Sequence, residues 1–192
     1  MKRVTALPTI DRANVKHGVN TMGHEGKAIS FTLPGYRLRS GSSRDRTTVV
    51  KFMERTYSEL DPHLPTSHIA ATVDRYLGRE TPLWWVDVDA PAGSVASPVG
   101  AIWLGQATDQ RSGVLHPYVL MLYVAPEHRR QGIATALLAV AHRWAQQQGH
   151  RQISLQVFSD NPAAQALYQS LGYYPEAVLL KKELGSAASE AT

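Results

Sequence analysis

An α/β domain, with strands and helices interleaved along one chain, is the fold class this sequence predicts. Three observations carry it. Tyr118 to Val124 are all apolar or aromatic, a short run rich in β-branched and aromatic types, as in a strand buried on both faces. The period then changes, and Ile133, Leu137, Val140 and Trp144 fall on one helical stripe. Between the two lies a polar, basic turn, His128-Arg129-Arg130-Gln131-Gly132. It is entered through Pro126, which has no amide hydrogen to give a ladder.

The remaining elements follow in order. Residues 1–30 show no sustained period and are read as a flexible N-terminal extension. Tyr36-Arg37-Leu38-Arg39 alternates, which predicts a first strand. Ser42 or Ser43 can cap a helix from Arg44, in which Val49, Phe52, Met53, Thr56, Tyr57 and Leu60 keep helical spacing. Asp61-Pro62-His63-Leu64-Pro65 breaks it, and a shorter helix from Ser67 to Leu77 turns Ile69, Val73, Tyr76 and Leu77 inward. Leu83 to Val88 and Val99 to Ala107 read as strands, separated by a turn over 91–97. A hairpin loop over Thr108 to Gly113 leads to the central strand. Trp84 and Trp85 adjoin on one strand, so they face opposite sides of the sheet, one in the core and one under a helix. After the helix from Ile133, stopped by Gly149, Gln152 to Phe158 is the next strand, with Ile153, Leu155 and Val157 on one face. Asp160 or Asn161 caps a helix with Pro162 at its first position, and Gly172 ends it. Val178 to Leu184 is a last strand, and 185–192 a disordered tail.

Composition narrows the function. At 192 residues the chain suits one domain with a real core. No apolar run reaches membrane-spanning length and the N-terminus lacks an apolar signal core, so a cytoplasmic protein is expected. The absence of cysteine excludes disulfides and thiolate chemistry by the protein. Residues 1–60 hold 11 Lys and Arg against 5 Asp and Glu. A basic arm of this kind suits a solvated face, and also RNA, a ribosome or an acidic partner.

The turn after the central strand carries the first chemistry. The first amides of a helix have no partner inside it and its dipole leaves partial positive charge there, so the turn is an anion site. Gly132 lets the backbone approach a phosphate, since no Cβ intervenes. Neither a GxGxxG fingerprint nor a Gly-Lys-Ser/Thr P-loop is present. Instead Arg129-Arg130-Gln131-Gly132-Ile133-Ala134 resembles the R/Q-x-x-G-x-G/A signature of the GNAT family of N-acetyltransferases. A second stretch, Asn161 to Tyr173 (NPAAQALYQSLGY), resembles that family's N-x-x-A-x-x-L-Y-x-x-x-G-F, with Tyr173 where phenylalanine is commoner. Two signatures in the right order, with a strand between, identify the chain as a member. The close match covers residues 117–184.

The resemblance implies a mixed, mostly antiparallel sheet of six to seven strands, its central strands splayed, flanked by about four helices, over residues 31–184. Acetyl-CoA would enter the splay as co-substrate, with no metal. Its pantetheine would pair with the main chain near Leu122, Tyr123 and Val124, and its pyrophosphate would lie on Arg129, Arg130, Gln131, Gly132, Ile133, Ala134 and Thr135. Asn161 resembles the family asparagine that hydrogen-bonds the cofactor, and Tyr168 the tyrosine that protonates the CoA sulfur. The amide of Leu122 or a neighbour would serve the oxyanion. A phenol near pKa 10 giving to a thiol near 8.5 is uphill by about 2 kcal/mol, tolerable beside a whole barrier. The general base departs from the pattern: relatives that acetylate ribosomal-protein N-termini often carry glutamate where this chain has Gln156. His116, Tyr118 or a water chain are the substitutes on offer. Deprotonating a lysine at pH 7 costs about 4.6 kcal/mol, against about 1 for an α-amine, so a weak base suits an N-terminus or small amine better than lysine. The loop Leu60 to His68 and the segment Tyr173 to Glu176 would wall the acceptor side, with Asp61 able to hold a cation.

The leading expectation is thus an acetyl-CoA-dependent N-acetyltransferase, monomer or homodimer, acting on an amine. Two other classes stay open: a non-catalytic acyl-CoA-binding or regulatory domain, motivated by Gln156, and a ribosome- or RNA-associated protein using the basic arm.

Overall fold

Why the splay falls where it does can be followed from the sequence into the computed structural model, which describes residues 31–79, 81–89 and 97–182. The expected N-terminal extension and C-terminal tail lie outside the described residues, as do most of the turn over 91–97 and the last two residues of the expected final strand. Five strands form one sheet in the order β1-β2-β3-β4-β5: Tyr36–Ser40, Leu83–Val88, Pro98–Thr108, Leu115–Val124 and Ser154–Leu155. The first four pair antiparallel; β4 and β5 pair in parallel. Helices α1 (Arg46–Leu60), α2 (Ile69–Tyr76), α3 (Ile133–Gln147) and α4 (Pro162–Ser170) complete the domain.

Two aromatic-rich cores sandwich the sheet. Val49, Phe52, Met53, Ile69 and Val73 of α1 and α2 pack one face against Trp85, Trp103, Met121 and Tyr123. Ile133, Leu137, Leu138, Val140 and Ala141 of α3 pack the other against Trp84, Ile102, Leu104 and Val119. The adjacent tryptophans therefore divide between the two cores, as strand alternation requires. Ser42 caps the entry to α1 through a short 3-10 turn, Ser43–Asp45; its hydroxyl accepts from the Arg44 amide (3.2 Å) and its own amide donates to Asp45 (2.7 Å).

Three expectations are corrected. The sheet has five strands among the described residues, not six or seven: residues 178–182 carry no ladder, and Val178 and Leu180 are exposed. The apolar pattern there was right for a strand, but a strand needs a partner edge. The strand expected over Gln152 to Phe158 shrinks to Ser154–Leu155. β4 starts at Leu115, ahead of the run that predicted it, because β3 pairs with it through His116 and Pro117.

The short β5 has a local cause. Trp103 pairs with Met121 and Leu104 with Val119, which leaves Leu120 unmatched as a β-bulge. The extra residue bends and twists the strand. Gly105 makes room for it: a Cβ there would lie 2.7 Å from a Leu120 methyl. β5 pairs with β4 only at Tyr118 and Val119, just before the bulge. From Leu120 to Val124 the edge of β4 facing β5 has no strand partner among the described residues.

Candidate active site

That open edge has a definite chemical content. The Ala125 amide donates to the Val99 carbonyl on the β3 side (2.8 Å). The Tyr123 carbonyl also lies towards β3, 3.3 Å from where a Cβ on Gly100 would sit. Main-chain direction alternates along a strand, so Leu122 and Val124 turn their polar groups into the gap. Of the trio expected to meet the pantetheine, Leu122 and Val124 turn their main chain to the gap, and Tyr123 turns its main chain to β3. The Tyr123 ring packs edge-on to Phe52 (5.0 Å between centroids), and its hydroxyl donates to Glu59 (3.1 Å). Burial first, then the Glu59 charge, push the Tyr123 phenol above its ordinary pKa.

Past Val124 the chain makes a short 3-10 turn, Pro126–His128, and enters α3 through two left-handed residues, Arg130 (φ 62°) and Gly132 (φ 83°). Glycine takes that conformation without strain; an arginine there costs roughly 1–2 kcal/mol. Successive turn amides then point to one side, as in an anion-binding nest. After Arg129 the next main-chain amide to meet a carbonyl is that of Ala136, which donates to Gly132 (2.9 Å). The amides of Arg130, Gln131, Gly132, Ile133, Ala134 and Thr135 therefore meet no acceptor among the described residues.

The side chains of this turn are engaged inward. Arg129 donates through Nε to the Val124 carbonyl (2.9 Å) and through Nη2 to Glu59 (2.5 Å). Gln131 accepts from the Tyr36 hydroxyl (2.5 Å). That phenol has one proton, so its second contact, His128 Nδ1 at 2.9 Å, is the imidazole donating to it. Arg130 is exposed and has no side-chain partner among the described residues. Of the two arginines expected to add charge, only Arg130 is available for it. The braces Glu59 and Tyr36 were not anticipated. Tyr36 lies 95 positions from Gln131 and carries no local signal. Glu59 does carry one: a carboxylate in the last turn of a helix opposes the helix dipole and implies a cationic partner elsewhere.

After β5, Asn161 caps α4, its Oδ1 accepting from the Ala164 amide (3.1 Å), with Pro162 at the first position. About two turns further on, Tyr168 lies half-buried against the α3-side core. Burial raises its pKa, so the phenol holds its proton, and giving it up costs more than the reference values suggest. Its hydroxyl has no hydrogen-bond partner among the described residues. Its ring meets Tyr173 edge-on (5.6 Å), and the Tyr173 hydroxyl bonds His142 Nε2 (2.8 Å). Burial pushes Tyr173 up, helped by Tyr168, and pushes His142 down, towards its neutral form.

On the α1 side, His116 is 6% exposed and bonds Ser154 Oγ through Nε2 (2.7 Å). Tyr118, the β-sheet partner of Ser154, has its pKa raised by burial and by Tyr57, whose ring meets His68 edge-on at 5.6 Å. Gln156 is exposed beyond β5. Asp61, expected to be able to hold a cation, accepts from the His63 amide (2.9 Å), so its carboxylate closes the turn after α1.

Among the described residues no helix is long and apolar enough to cross a membrane. Comparison with known proteins agrees with this architecture. The family model described as the acetyltransferase (GNAT) family matches residues 48–173. Human N-acetyltransferase 8 (Homo sapiens) is 34% identical over 100 residues, covering 51% of this chain and 41% of its own length. Aminoglycoside N(6')-acetyltransferase type 1 of Acinetobacter baumannii is 35% identical over 66 residues, 33% of this chain and 45% of that one. The chain thus spans under half the length of these curated relatives. The solved structure of a ribosomal-protein-alanine N-acetyltransferase from Brucella melitensis biovar Abortus 2308 superposes with a TM-score of 0.57 at 18% identity, over 78% of this chain and 99% of that one. With the family model covering both signatures and the sheet that carries them, this chain belongs to the acetyltransferase (GNAT) family.

Proposed function

We propose that this protein transfers an acetyl group from acetyl-CoA to a primary amine by direct attack. The observation that carries the reading is the continuity of two main-chain surfaces. The outward groups of Leu122 and the outward amide of Val124, whose carbonyl Arg129 already holds, lead into the unpaired amides of Arg130 to Thr135. A pantetheine arm has amides that mimic a strand, and its pyrophosphate is an anion, so one ligand fits both surfaces. Arg130 adds charge at the anion end. The Leu122 amide faces the gap, where an oxyanion would form.

In this reading the amine attacks the thioester carbon, the C–N bond forms, and the C–S bond breaks with its electron pair going to sulfur. Tyr168 gives its proton to that thiolate. Its hydroxyl is uncommitted, and its ring is held by Tyr173. Asn161 fixes the start of α4 and so the direction of Tyr168.

The favoured acceptor is a protein N-terminus or a small amine, with lysine also possible. The absence of a carboxylate at position 156 supports a low-pKa amine, because less deprotonation is asked of the enzyme. One relative is by name an aminoglycoside acetyltransferase, which keeps small polyamines in the panel.

The test is thiol release from acetyl-CoA with peptide α-amines, an aminoglycoside and lysine, wild type beside Tyr168→Phe. Turnover with at least about a tenfold loss of kcat in the variant is expected. Micromolar acetyl-CoA binding without turnover by the wild type would favour a binding domain instead. Failure to bind acetyl-CoA would overturn the use of the Arg130 to Thr135 turn.

A further inference from the structure

The attacking amine must lose a proton, and none of the four residues that pair β4 with β5, Tyr118, Val119, Ser154 and Leu155, is a carboxylate. The structure places another proton acceptor at this point. Residues 116 and 118 share a face of β4, and Ser154 is the parallel partner of Tyr118, so His116, Tyr118 and Ser154 lie on one face. That is the side from which Tyr57 of α1 approaches Tyr118. Ser154 is half-buried at the floor of the gap, where β4 and β5 begin to part. His116 lies buried behind it, with Ser154 Oγ 2.7 Å from Nε2 and the Val114 carbonyl 3.4 Å from Nδ1.

A carbonyl can only accept, so Nδ1 carries the ring proton and Nε2 the lone pair. The Ser154 hydroxyl then donates to Nε2, which leaves its oxygen lone pairs open to a second donor. This is the bonding pattern of a hydroxyl ready to pass a proton on. It joins residues 38 positions apart, which no sequence motif links.

We propose that Ser154 and His116 form the proton relay for the acceptor amine. Ser154 Oγ takes a proton from the amine nitrogen, directly or through one water, as its own proton moves to His116 Nε2. The C–N bond forms, the C–S bond breaks, and the thiolate takes the Tyr168 proton. His116 later returns its proton to solvent, and Tyr168 regains one from solvent, so protons balance over a turnover. Ser154 is the group that meets substrate; His116 acts through it. The inference rests on the transferase reading.

The groups around the dyad are compatible with this role. His150, from the loop before β5, is held towards its neutral form first by burial and then by His116. Asp109, at the start of the β3–β4 hairpin, is bound to the Arg111 and Ser112 amides and to Gln152, which precedes Ser154 by two residues. The Tyr118 phenol on the same face has its pKa raised first by burial and then by Tyr57 of α1, so it adds no charge at neutral pH.

The experiment follows thiol release from acetyl-CoA across pH 5.5 to 9, with a tetrapeptide α-amine and an aminoglycoside as acceptors. Ser154→Ala should lower kcat at pH 7 by about tenfold to a hundredfold, at the low end of proton-transfer catalysis, with the KM for acetyl-CoA held within about twofold. The acidic limb of the wild-type profile should be lost. Ser154→Thr keeps the hydroxyl and should recover kcat to within about threefold. His116→Gln should match Ser154→Ala, and the double variant should be no worse than either single. Wild-type kcat and pH profile in Ser154→Ala would overturn the relay alone. So would equal impairment of the Ala and Thr variants with unchanged melting, since that marks a steric role. No turnover by the wild type, with acetyl-CoA bound, would overturn the transferase reading and the relay with it.

Discussion

At the Val124 end of the gap the groups facing outward are backbone amides, and the side chains are tied inward, Arg129 to Glu59 and Gln131 to Tyr36. At the Tyr118 end the order is reversed: the backbone is paired with β5, and the polar groups facing outward are side chains, Ser154, His116 and Tyr118. The contrast suits the two tasks proposed for the gap. A diphosphate is a diffuse anion, and a row of amides at a helix start meets it with a few fixed dihedral angles. Proton transfer needs particular lone pairs at particular places, which only side chains from several elements supply.

The contrast is tested hardest by changing backbone at one end without touching chemistry at the other. Gly132→Val should raise the KM for acetyl-CoA about a hundredfold. Space is not the obstacle, since a Cβ would sit 3.6 Å from a Leu33 methyl, an ordinary contact. The obstacle is φ of 83°, which a β-branched residue adopts only with strain, so the amides turn away from one another. A variant that folds and binds acetyl-CoA like the wild type would show that the nest geometry is dispensable.

A smaller effect separates brace from ligand. Tyr36→Phe keeps the ring and removes the bonds to Gln131 and His128. The KM for acetyl-CoA should rise about fivefold with kcat unchanged, the scale of one lost hydrogen bond of about 1 kcal/mol. A fall in kcat with constant KM would mean that the ends of the gap are coupled more tightly than their separate construction implies.

The same division explains what could be read from the sequence. The anion turn is local: Gly132, its neighbours and the change of period at Ile133 lie within a few residues, so a linear pattern records them. The α4 signature is equally local, and Asn161, Pro162 and Tyr168 fall where their spacing places them. The Ser154–His116 bond and the Tyr36–Gln131 and Glu59–Arg129 braces join distant positions. They depend on strand register and on the Leu120 bulge, neither of which leaves a local trace. Register also decided between Tyr123 and its neighbours at the open edge, because the Ala125–Val99 bond sets the parity of the strand. The final strand failed for a related reason: the apolar run Val178-Leu179-Leu180 reports a preference, and a ladder needs a second edge.

At the chemical end, Tyr173 is the residue at which this chain departs from the phenylalanine of the signature it resembles. Tyr173→Phe keeps the edge-on ring contact with Tyr168 and removes the bond to His142. We expect kcat to fall about threefold, with the KM for acetyl-CoA unchanged, because Tyr168 is then steadied by packing alone. An unchanged kcat would assign the hydroxyl to stability only. A rise in KM would place Tyr173 on the cofactor rather than behind the acid.

The smallest effect concerns acid stability. Burial lowers the pKa of His142 below its ordinary 6.5, and its Nε2 is bonded to Tyr173. In the unfolded chain the same histidine titrates at its ordinary value. As pH falls through that value the unfolded state takes up a proton that the folded state refuses, so stability declines with falling pH. His150 acts in the same direction, through burial and then His116. Asp109 belongs to a separate window: its pKa is lowered to about 2 by the Ser112 and Arg111 amides and the Ser112 and Gln152 side chains, and its contribution is lost only below the ordinary carboxylate range. The melting temperature should therefore fall between pH 7.5 and 5.5. His142→Gln offers Tyr173 an uncharged acceptor and should reduce that fall by about 2 °C, the shift expected from somewhat under 1 kcal/mol in a domain of this size. The part owed to His150 should remain. An identical pH slope in the variant would mean that water reaches His142 beside Tyr173 and lets it titrate in the folded protein as it does in the open chain.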